Sequence, residues 1–287
     1  MKKEGFMMKK LFLLLFFVGG LLLIIKTNTT WFVFGENKSS AEVTGNTEKI
    51  ELHVSGASTT IIPKNTDEVH AEIKGNGKVN VEKKGDTILV ESETKRWFNA
   101  FSFFNKREIT IYIPDDFNQE LSIDSGSGSI VFDGESMTLD DLLVDMSSGN
   151  VKLSQLSTKN FILDGSSGNV SISSLTTEES KFDMSSGNLT ITDHTGKVMA
   201  DLSSGKIDLQ MDKVTDSIEI KLNSGFGTVD LPSDADFTLH GEAGSGIITS
   251  NLTLKDLLKD KNNIYGISGS GKHDVKIDVS SGKVAIK

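Results

Sequence analysis

Apolar residues recur at every second position along most of the chain after residue 49, and the clearest run lies between residues 144 and 211. One unit is written there four times, as VDMSSGNVKL, LDGSSGNVSI, FDMSSGNLTI and ADLSSGKIDL. The glycines of these units, Gly149, Gly168, Gly187 and Gly205, are 19, 19 and 18 residues apart, the length of one coil of a β-solenoid. Alternation on both sides of Ser-Ser-Gly predicts two short strands per coil, joined at a tight corner.

The predicted fold is therefore all-β: a single-stranded parallel β-solenoid of the right-handed β-helix type. One coil cannot bury its own apolar side, so stacked coils share one continuous core. Asparagines that follow three of the corner glycines can form hydrogen bonds from coil to coil, which indicates a scaffold role. The predicted structural corner comprises Gly128, Gly149, Gly168, Gly187, Gly205, Asn150, Asn169 and Asn188.

Two stretches depart from the regular repeat. Residues 220–231 fit its register only with a two-residue bulge at Phe226 and Gly227. Residues 251–263 carry leucines at a helical spacing, which predicts either a short helix or an excursion that lengthens one coil.

The N-terminus predicts a membrane anchor. Residues 11–25 are all apolar or glycine and follow a lysine-rich tip, and Trp31 to Phe34 extends this segment toward the roughly 17–25 residues of a spanning helix. A cleaved signal peptide is the alternative, but no small-x-small cleavage pattern follows. Because lysines favour the cytoplasmic side, we expect a single-pass protein of the cell membrane with its C-terminal domain outside.

These patterns divide the chain into four parts. Residues 1–34 form a cytoplasmic basic tip and transmembrane anchor, and residues 35–48 a polar tether. Residues 49–114 form irregular N-terminal coils with an aromatic capping loop. Residues 115–287 form the regular SSGN/SSGK solenoid repeats.

The aromatic loop breaks the rule that apolar residues point inward. Its large rings stand between the basic pairs Lys95-Arg96 and Lys106-Arg107. The loop either covers the open apolar end of the solenoid or contacts a membrane or partner. The five rings are Trp97, Phe98, Phe101, Phe103 and Phe104.

A row of carboxylates is the most distinctive polar feature of the repeat. Its members stand four residues before successive corner glycines: Asp124, Asp145, Asp164, Asp183 and Asp201. Parity places them outward, about 4.8 Å apart from coil to coil. Since like charges on adjacent strands repel, we expect either a solvated row paired with Lys152, Lys159 and Lys181, or weak binding of a cation such as Ca²⁺. No other cofactor is predicted.

Net charge, cysteine content and histidine spacing argue against several classes of function. The net charge of −10 argues against binding to nucleic acid phosphates, and the absence of cysteine excludes disulfides and thiol chemistry. The five histidines share no spacing with one another or with a nucleophile, so we predict that the protein is not an enzyme. The alternative is a polysaccharide-active β-helix enzyme, a lyase or hydrolase of cell-surface glycans, although no carboxylate pair stands apart from the repeat.

The anchor, the irregular strands ending in TIYIP and the serial SSGN/SSGK units together resemble the putative adhesin family of bacterial β-solenoids. That family includes LiaG-type membrane proteins of cell-envelope stress operons. The resemblance spans residues 49–287 and implies a non-catalytic, membrane-anchored, extracytoplasmic binding or scaffolding module at the bacterial cell envelope. It assigns no residue a role. The partner classes left open are a cell-wall polymer, another protein of the envelope and the membrane face.

Overall fold

The computed structural model describes residues 39–93, 107–134 and 136–287, which fall within one compact unit, Lys38–Lys287. Every regular element in these ranges is a β-strand, which confirms the all-β prediction. No helix in the described part of the chain is long and apolar enough to cross a membrane. The predicted anchor lies outside the described residues, as do the tether up to residue 38 and the aromatic loop.

Within the described residues, twenty strands make up the sheet. The N-terminal strands are β1 Ser40–Glu42, β2 Lys49–His53, β3 Ala57–Lys64, β4 Glu68–Lys74, β5 Lys78–Lys84, β6 Thr87–Glu93 and β7 Glu108–Pro114. The central strands are β8 Glu120–Ser125, β9 Gly128–Phe132, β10 Met137–Met146, β11 Asn150–Gly165, β12 Asn169–Met184, β13 Asn188–Lys213 and β14 Ile218–Asp230. The C-terminal strands are β15 Phe237–Ala243, β16 Ile247–Ser250, β17 Lys255–Lys259, β18 Asn263–Ser268, β19 His273–Val279 and β20 Lys283–Ile286.

Central coils stack in parallel, with equivalent repeat positions side by side. Val170 pairs with Val151 on one side and with Leu189 on the other, and all three are at most 2% exposed. The strands before each corner glycine form one face, called here the pre-corner face, and those after it form the post-corner face. Burying such columns contributes about 1.5–3 kcal/mol per large apolar side chain, so stability accumulates along the stack.

The corner glycines lie directly above one another. Gly168 has φ +124°, and a Cβ built on it would overlap the carbonyl oxygen of Gly149 in the neighbouring coil. Both the backbone conformation and the close approach therefore require glycine.

A second corner was not foreseen from the sequence. Gln155, Ser174 and Asp193 each stand six residues after a corner glycine and have φ of 57°, 55° and 54°. This left-handed conformation costs a residue with a Cβ about 1–2 kcal/mol. Three different residue types fill the position, so no repeated letter marks it.

The prediction of a wholly parallel solenoid is wrong at both ends, where the sheet is mixed. At the N-terminal end, β4 pairs antiparallel with β7 and β5 with β6. At the C-terminal end, β18 pairs antiparallel with β15 and with β17. Hairpins close the stack because a two-stranded reversal needs only a short turn.

The coils near both ends also stack out of sequence order. Strands β2 and β3 lie between β6 with β7 on one side and β8 with β9 on the other. Strands β19 and β20 lie between β14 and the pair β15 and β16. Each inserted coil therefore has hydrogen-bonded neighbours on both sides.

The side chain of Asp236 holds the loop that leads into β19. Its carboxylate accepts hydrogen bonds from the backbone nitrogens of Ser270 (2.8 Å) and Lys272 (2.9 Å), and from the Ser270 hydroxyl (2.7 Å). These bonds, led by that from Lys272, lower the pKa of Asp236 to about 2. The carboxylate thus fixes the point where the chain turns back into the stack.

The structure corrects one local prediction and decides between the two alternatives of another. Gly225, rather than a bulge at Phe226 and Gly227, continues the glycine column by pairing with Gly205. Gly227 then faces inward, where a Cβ would crowd Val284, and Phe226 is 65% exposed. Residues 251–263 form the excursion that carries β17 rather than a helix, because pairing with β18 satisfies the backbone of this segment.

Candidate functional site

The five aspartates of the predicted row lie in register on the pre-corner face. Asp145 pairs with Asp124 on one side and with Asp164 on the other, and Asp183 follows Asp164 and precedes Asp201. All five are exposed. Adjacent parallel strands are about 4.8 Å apart, so the row is a ladder of carboxylates with one step per coil.

Repulsion within the ladder is visible at Asp145. Partial desolvation raises the pKa of this carboxyl group, and the charges of Asp124 and Asp164 raise it further. A like-charge neighbour on each side disfavours the ionised form. The ladder therefore stores unfavourable electrostatic energy in the folded state at neutral pH.

The lysines expected to balance the ladder do other things. Lys159 Nζ lies 2.7 Å from Asp140 Oδ1, away from the row, and Lys152 lies on a strand of the post-corner face. None of the five aspartates forms an ion pair with another described residue. The predicted pairing is therefore wrong: Lys152 and Lys159 belong to other sides of the coil, and Lys181, although it lies on the pre-corner face, forms no ion pair with a described aspartate.

The side chain of Lys221 interrupts the row of carboxylates on its C-terminal side. Lys221 pairs with Asp201 and Asp278 across the strands, and its Nζ lies 2.7 Å from Glu219 Oε1. That hydrogen bond, with the charges of Asp201 and Asp278, raises the pKa of Lys221. The uninterrupted run of carboxylates is thus confined to β8, β10, β11, β12 and β13.

A second outward row runs beside the aspartates and is mostly apolar. Leu143, Ile162, Lys181 and Met199 occupy successive coils two residues before the aspartate positions. Ile162 is 44% exposed, while Leu143 and Met199 are half-buried. The pre-corner face therefore presents a flat strip on which an apolar row borders an acidic one.

The arrangement does not form a metal centre of the usual kind. Within the described residues no three His, Cys, Asp or Glu side chains come close enough together to hold a metal ion. One outward carboxylate per coil provides few of the six to eight oxygen ligands that Ca²⁺ takes. Weak cation binding by the ladder stays a prediction.

The predicted corner residues form hydrogen bonds between coils. Asn169 Nδ2 donates to Asn150 Oδ1 (3.0 Å), and Asn188 Nδ2 donates to Asn169 Oδ1 (2.7 Å). The side-chain amides thus form a chain along the solenoid axis. Beyond Asn188 the same column continues as Lys206, Phe226, Lys283 and Ile247, so the ladder of amides covers only the central coils.

Sequence reasoning missed a polar network in the core. His194 is fully buried and its Nε2 lies 3.2 Å from the Ser180 hydroxyl, which in turn lies 2.7 Å from the Thr177 hydroxyl. Nδ1 of His194 has no hydrogen-bond partner in the described part of the chain. The repeat register could have predicted that His194 is buried, because this residue follows Leu156 and Leu175 at an inward position. The Ser and His pair is closed to substrate, so it is not a catalytic site.

Burial sets the protonation state of this histidine. Desolvation lowers the pKa of His194 to about 4, and the backbone of Leu175 opposes part of the shift. The ring is therefore neutral at pH 7, as a buried imidazole without a charged partner should be.

The fold and its outward rows define a repeat protein of the β-solenoid class, with flat repetitive faces. The chain belongs to the Toastrack DUF4097 family, whose model matches residues 47–287. This match confirms the resemblance to bacterial adhesin-type solenoids; the narrower similarity to LiaG-type proteins stays a prediction. No curated protein is significantly similar to the chain.

Solved structures similar to the chain include three that are each 14% identical to it in sequence. The match to a "putative cell adhesion protein" from Clostridium sporogenes ATCC 15579 covers 86% of this chain and 97% of that protein's chain, with a TM-score of 0.31. A "putative adhesin (BF0245)" from Bacteroides fragilis NCTC 9343 covers 86% and 95%, with a TM-score of 0.49. A "putative adhesin" from Parabacteroides distasonis ATCC 8503 covers 88% and 98%, with a TM-score of 0.47.

Proposed function

We propose that this protein is a non-catalytic binding or scaffolding module, anchored in the cell membrane and exposed on the outer side of the bacterial cell envelope. The observation that carries the proposal is the in-register repetition of outward side chains over five consecutive coils of the pre-corner face. A surface of this kind suits an extended or repetitive partner, because each coil offers the same groups at the same spacing.

The anchor and the location are proposed from the sequence. The apolar segment 11–25 behind four lysines supports a retained N-terminal anchor, and the acidic, cysteine-free remainder is compatible with an extracytoplasmic domain. The resemblance to envelope-stress proteins leads us to expect that transcript levels rise when cell-wall synthesis is inhibited.

We propose that the pre-corner face is the binding surface and a cell-wall polymer or an envelope protein its partner. Full-length protein in detergent should sediment with isolated cell walls or with wall-free envelope from the bacterium that makes it. Asp164→Asn/Asp183→Asn should weaken sedimentation, since it removes two central charges of the ladder. Asp208→Asn, on the post-corner face, is the matched control and should bind like the wild type.

The outcomes separate the parts of the proposal. Equal binding of the ladder variant and the wild type would exclude the pre-corner face as the surface. No sedimentation of the wild type with either preparation would contradict a binding module. Release of soluble glycan from the walls would contradict the non-catalytic assignment.

A further inference from the structure

Strand β17 is the free edge of the sheet at its C-terminal end. It pairs with β18 alone, and among the strands of the described chain it is the one whose residues are all exposed. Leu257 is 50% exposed and Leu258 69%. Leu252 and Leu254, just before the strand, pack against the core, so the excursion is already anchored without the two exposed leucines.

Asp256 and Lys259, the charged residues directly beside these leucines, have no side-chain partner within the described chain, unlike the next charges outward. Lys255 Nζ donates to the carbonyl of Gly269 (3.0 Å), and Asp260 accepts from the backbone nitrogens of Asn262 and Asn263. No hydrogen bond or ion pair of the Asp256 and Lys259 side chains occurs among the described residues. The strand thus presents the order Asp-Leu-Leu-Lys with both charges available.

This order is complementary to itself when reversed. In an antiparallel pair of two such strands, centred between Leu257 and Leu258, each Asp256 stands opposite Lys259 of the other copy. Leu257 of each copy then stands opposite Leu258 of the other. Apolar and opposite-charge pairs across strands each contribute roughly 0.2–1 kcal/mol, whereas like charges directly opposite are destabilising.

We propose that β17 is a self-association site, at which two copies of this chain pair antiparallel across a two-fold axis. The sheet of one copy then continues into that of the other, as in strand addition at an open edge. The register of β17 against β18 shifts between Lys255 and Leu258, and Asp256, inside this bulge, has φ +50°. Regular pairing is therefore confined to the C-terminal part of the strand, and Asp256 meets Lys259 of the other copy through its side chain. The contact is therefore short, and because it is isologous it closes at a dimer.

Cysteine cross-linking tests the register directly, since the chain contains no cysteine of its own. Full-length Asp256→Cys and Lys259→Cys are mixed in detergent and mildly oxidised. The proposed pairing brings position 256 of one copy opposite position 259 of the other, so the mixture should form disulfide-linked dimers. Each variant alone should not, because identical positions lie about three residues apart along the strand, roughly 10 Å, beyond disulfide reach.

Charge reversal tests the chemistry. Lys259→Asp places two aspartates opposite each other at both ends of the contact and should abolish the dimer in sedimentation of the full-length protein. Asp256→Lys/Lys259→Asp restores opposite charges and should restore the dimer. Asp234→Lys, at an exposed loop position, should leave dimerisation unchanged.

A monomeric wild type would overturn the proposal. It would also be overturned by a mixture that cross-links no better than each cysteine variant alone, or by a double reversal that stays monomeric while its melting temperature matches that of the wild type.

Discussion

Glycine at the first corner is required by its neighbours as much as by its own backbone. Replacing Gly168 with alanine introduces a Cβ against the Gly149 carbonyl and strains a φ of +124°. We expect Gly168→Ala to lower the free energy of unfolding by more than about 2 kcal/mol. Urea unfolding of the variant measures this loss, and a change below 0.5 kcal/mol, roughly the scatter of surface substitutions, would contradict the stacked corner.

At the second corner, substitution by glycine should stabilise the protein. Ser174 holds a left-handed conformation that glycine adopts without strain. Ser174→Gly is therefore expected to raise the unfolding free energy by up to about 1 kcal/mol. Ser171→Gly, in the strand of the same coil, is the control and should lower it.

Stability should fall in mild acid because of one histidine. The folded-state pKa of His194, about 4, lies below the ordinary value of 6.5, so between these values the unfolded chain binds the extra proton. This contribution is complete above pH 6.5 and is lost as the pH falls toward 4, by about 3 kcal/mol in total. Urea unfolding at pH 7 and at pH 4.5 measures it.

Substitution of His194 by leucine provides the control for this pH effect. His194→Leu continues the column of Leu156 and Leu175 and has no titrating group. Its stability should change less between pH 7 and pH 4.5 than that of the wild type. An equal change in both proteins would show that other groups cause the acid sensitivity.

At the scale of the elements, the carboxylate ladder works against stability. Desolvation, and then the charges of Asp124 and Asp164, raise the pKa of Asp145 in the folded state, so the ionised carboxylate costs stability at neutral pH and this cost is relieved as the pH falls through that pKa. Asp164→Asn, which removes a neighbour of Asp145, should raise the melting temperature at pH 7 and low salt, and the gain should shrink in 1 M salt. A lower melting temperature would indicate that the ladder carries compensating contacts.

The aromatic loop between β6 and β7 lies outside the described residues, and its role stays a prediction. If it caps the core, Trp97→Ser/Phe101→Ser should lower the melting temperature and leave liposome binding unchanged. If it contacts the membrane, the same variant should lose flotation with anionic liposomes at unchanged stability. Because the proposed N-terminal anchor would itself bind liposomes, the comparison uses the 36–287 fragment, provided that the fragment shows a cooperative unfolding transition.

The sequence predicts those positions of the fold that keep the same residue type from coil to coil. The corner glycines and the inward columns repeat the same residues, so period and parity place them. Gln155, Ser174 and Asp193 share a backbone conformation but no chemistry, and the left-handed corner therefore leaves no pattern. His194 was overlooked for a related reason, since a single polar residue in an apolar column does not disturb the alternation.

At the scale of the whole molecule, sequence order and stacking order differ. Local alternation shows that β2 and β19 are strands, but it does not specify their neighbours, because each inward face fits several coils equally well. The chain leaves the stack at both ends, forms a hairpin and places another coil next to an earlier one. Such long-range pairings depend on how the end hairpins close the core, which no local pattern encodes.

The proposed topology has the solenoid outside the cell membrane and the N-terminus in the cytoplasm. Since the chain lacks cysteine, two single-cysteine variants test it: Ser171→Cys on the post-corner face and Glu4→Cys in the basic tip. With intact cells and a membrane-impermeant maleimide, we expect labelling of Ser171→Cys, and labelling of Glu4→Cys only after lysis. Labelling of Ser171→Cys that requires lysis would place the solenoid in the cytoplasm and contradict the account.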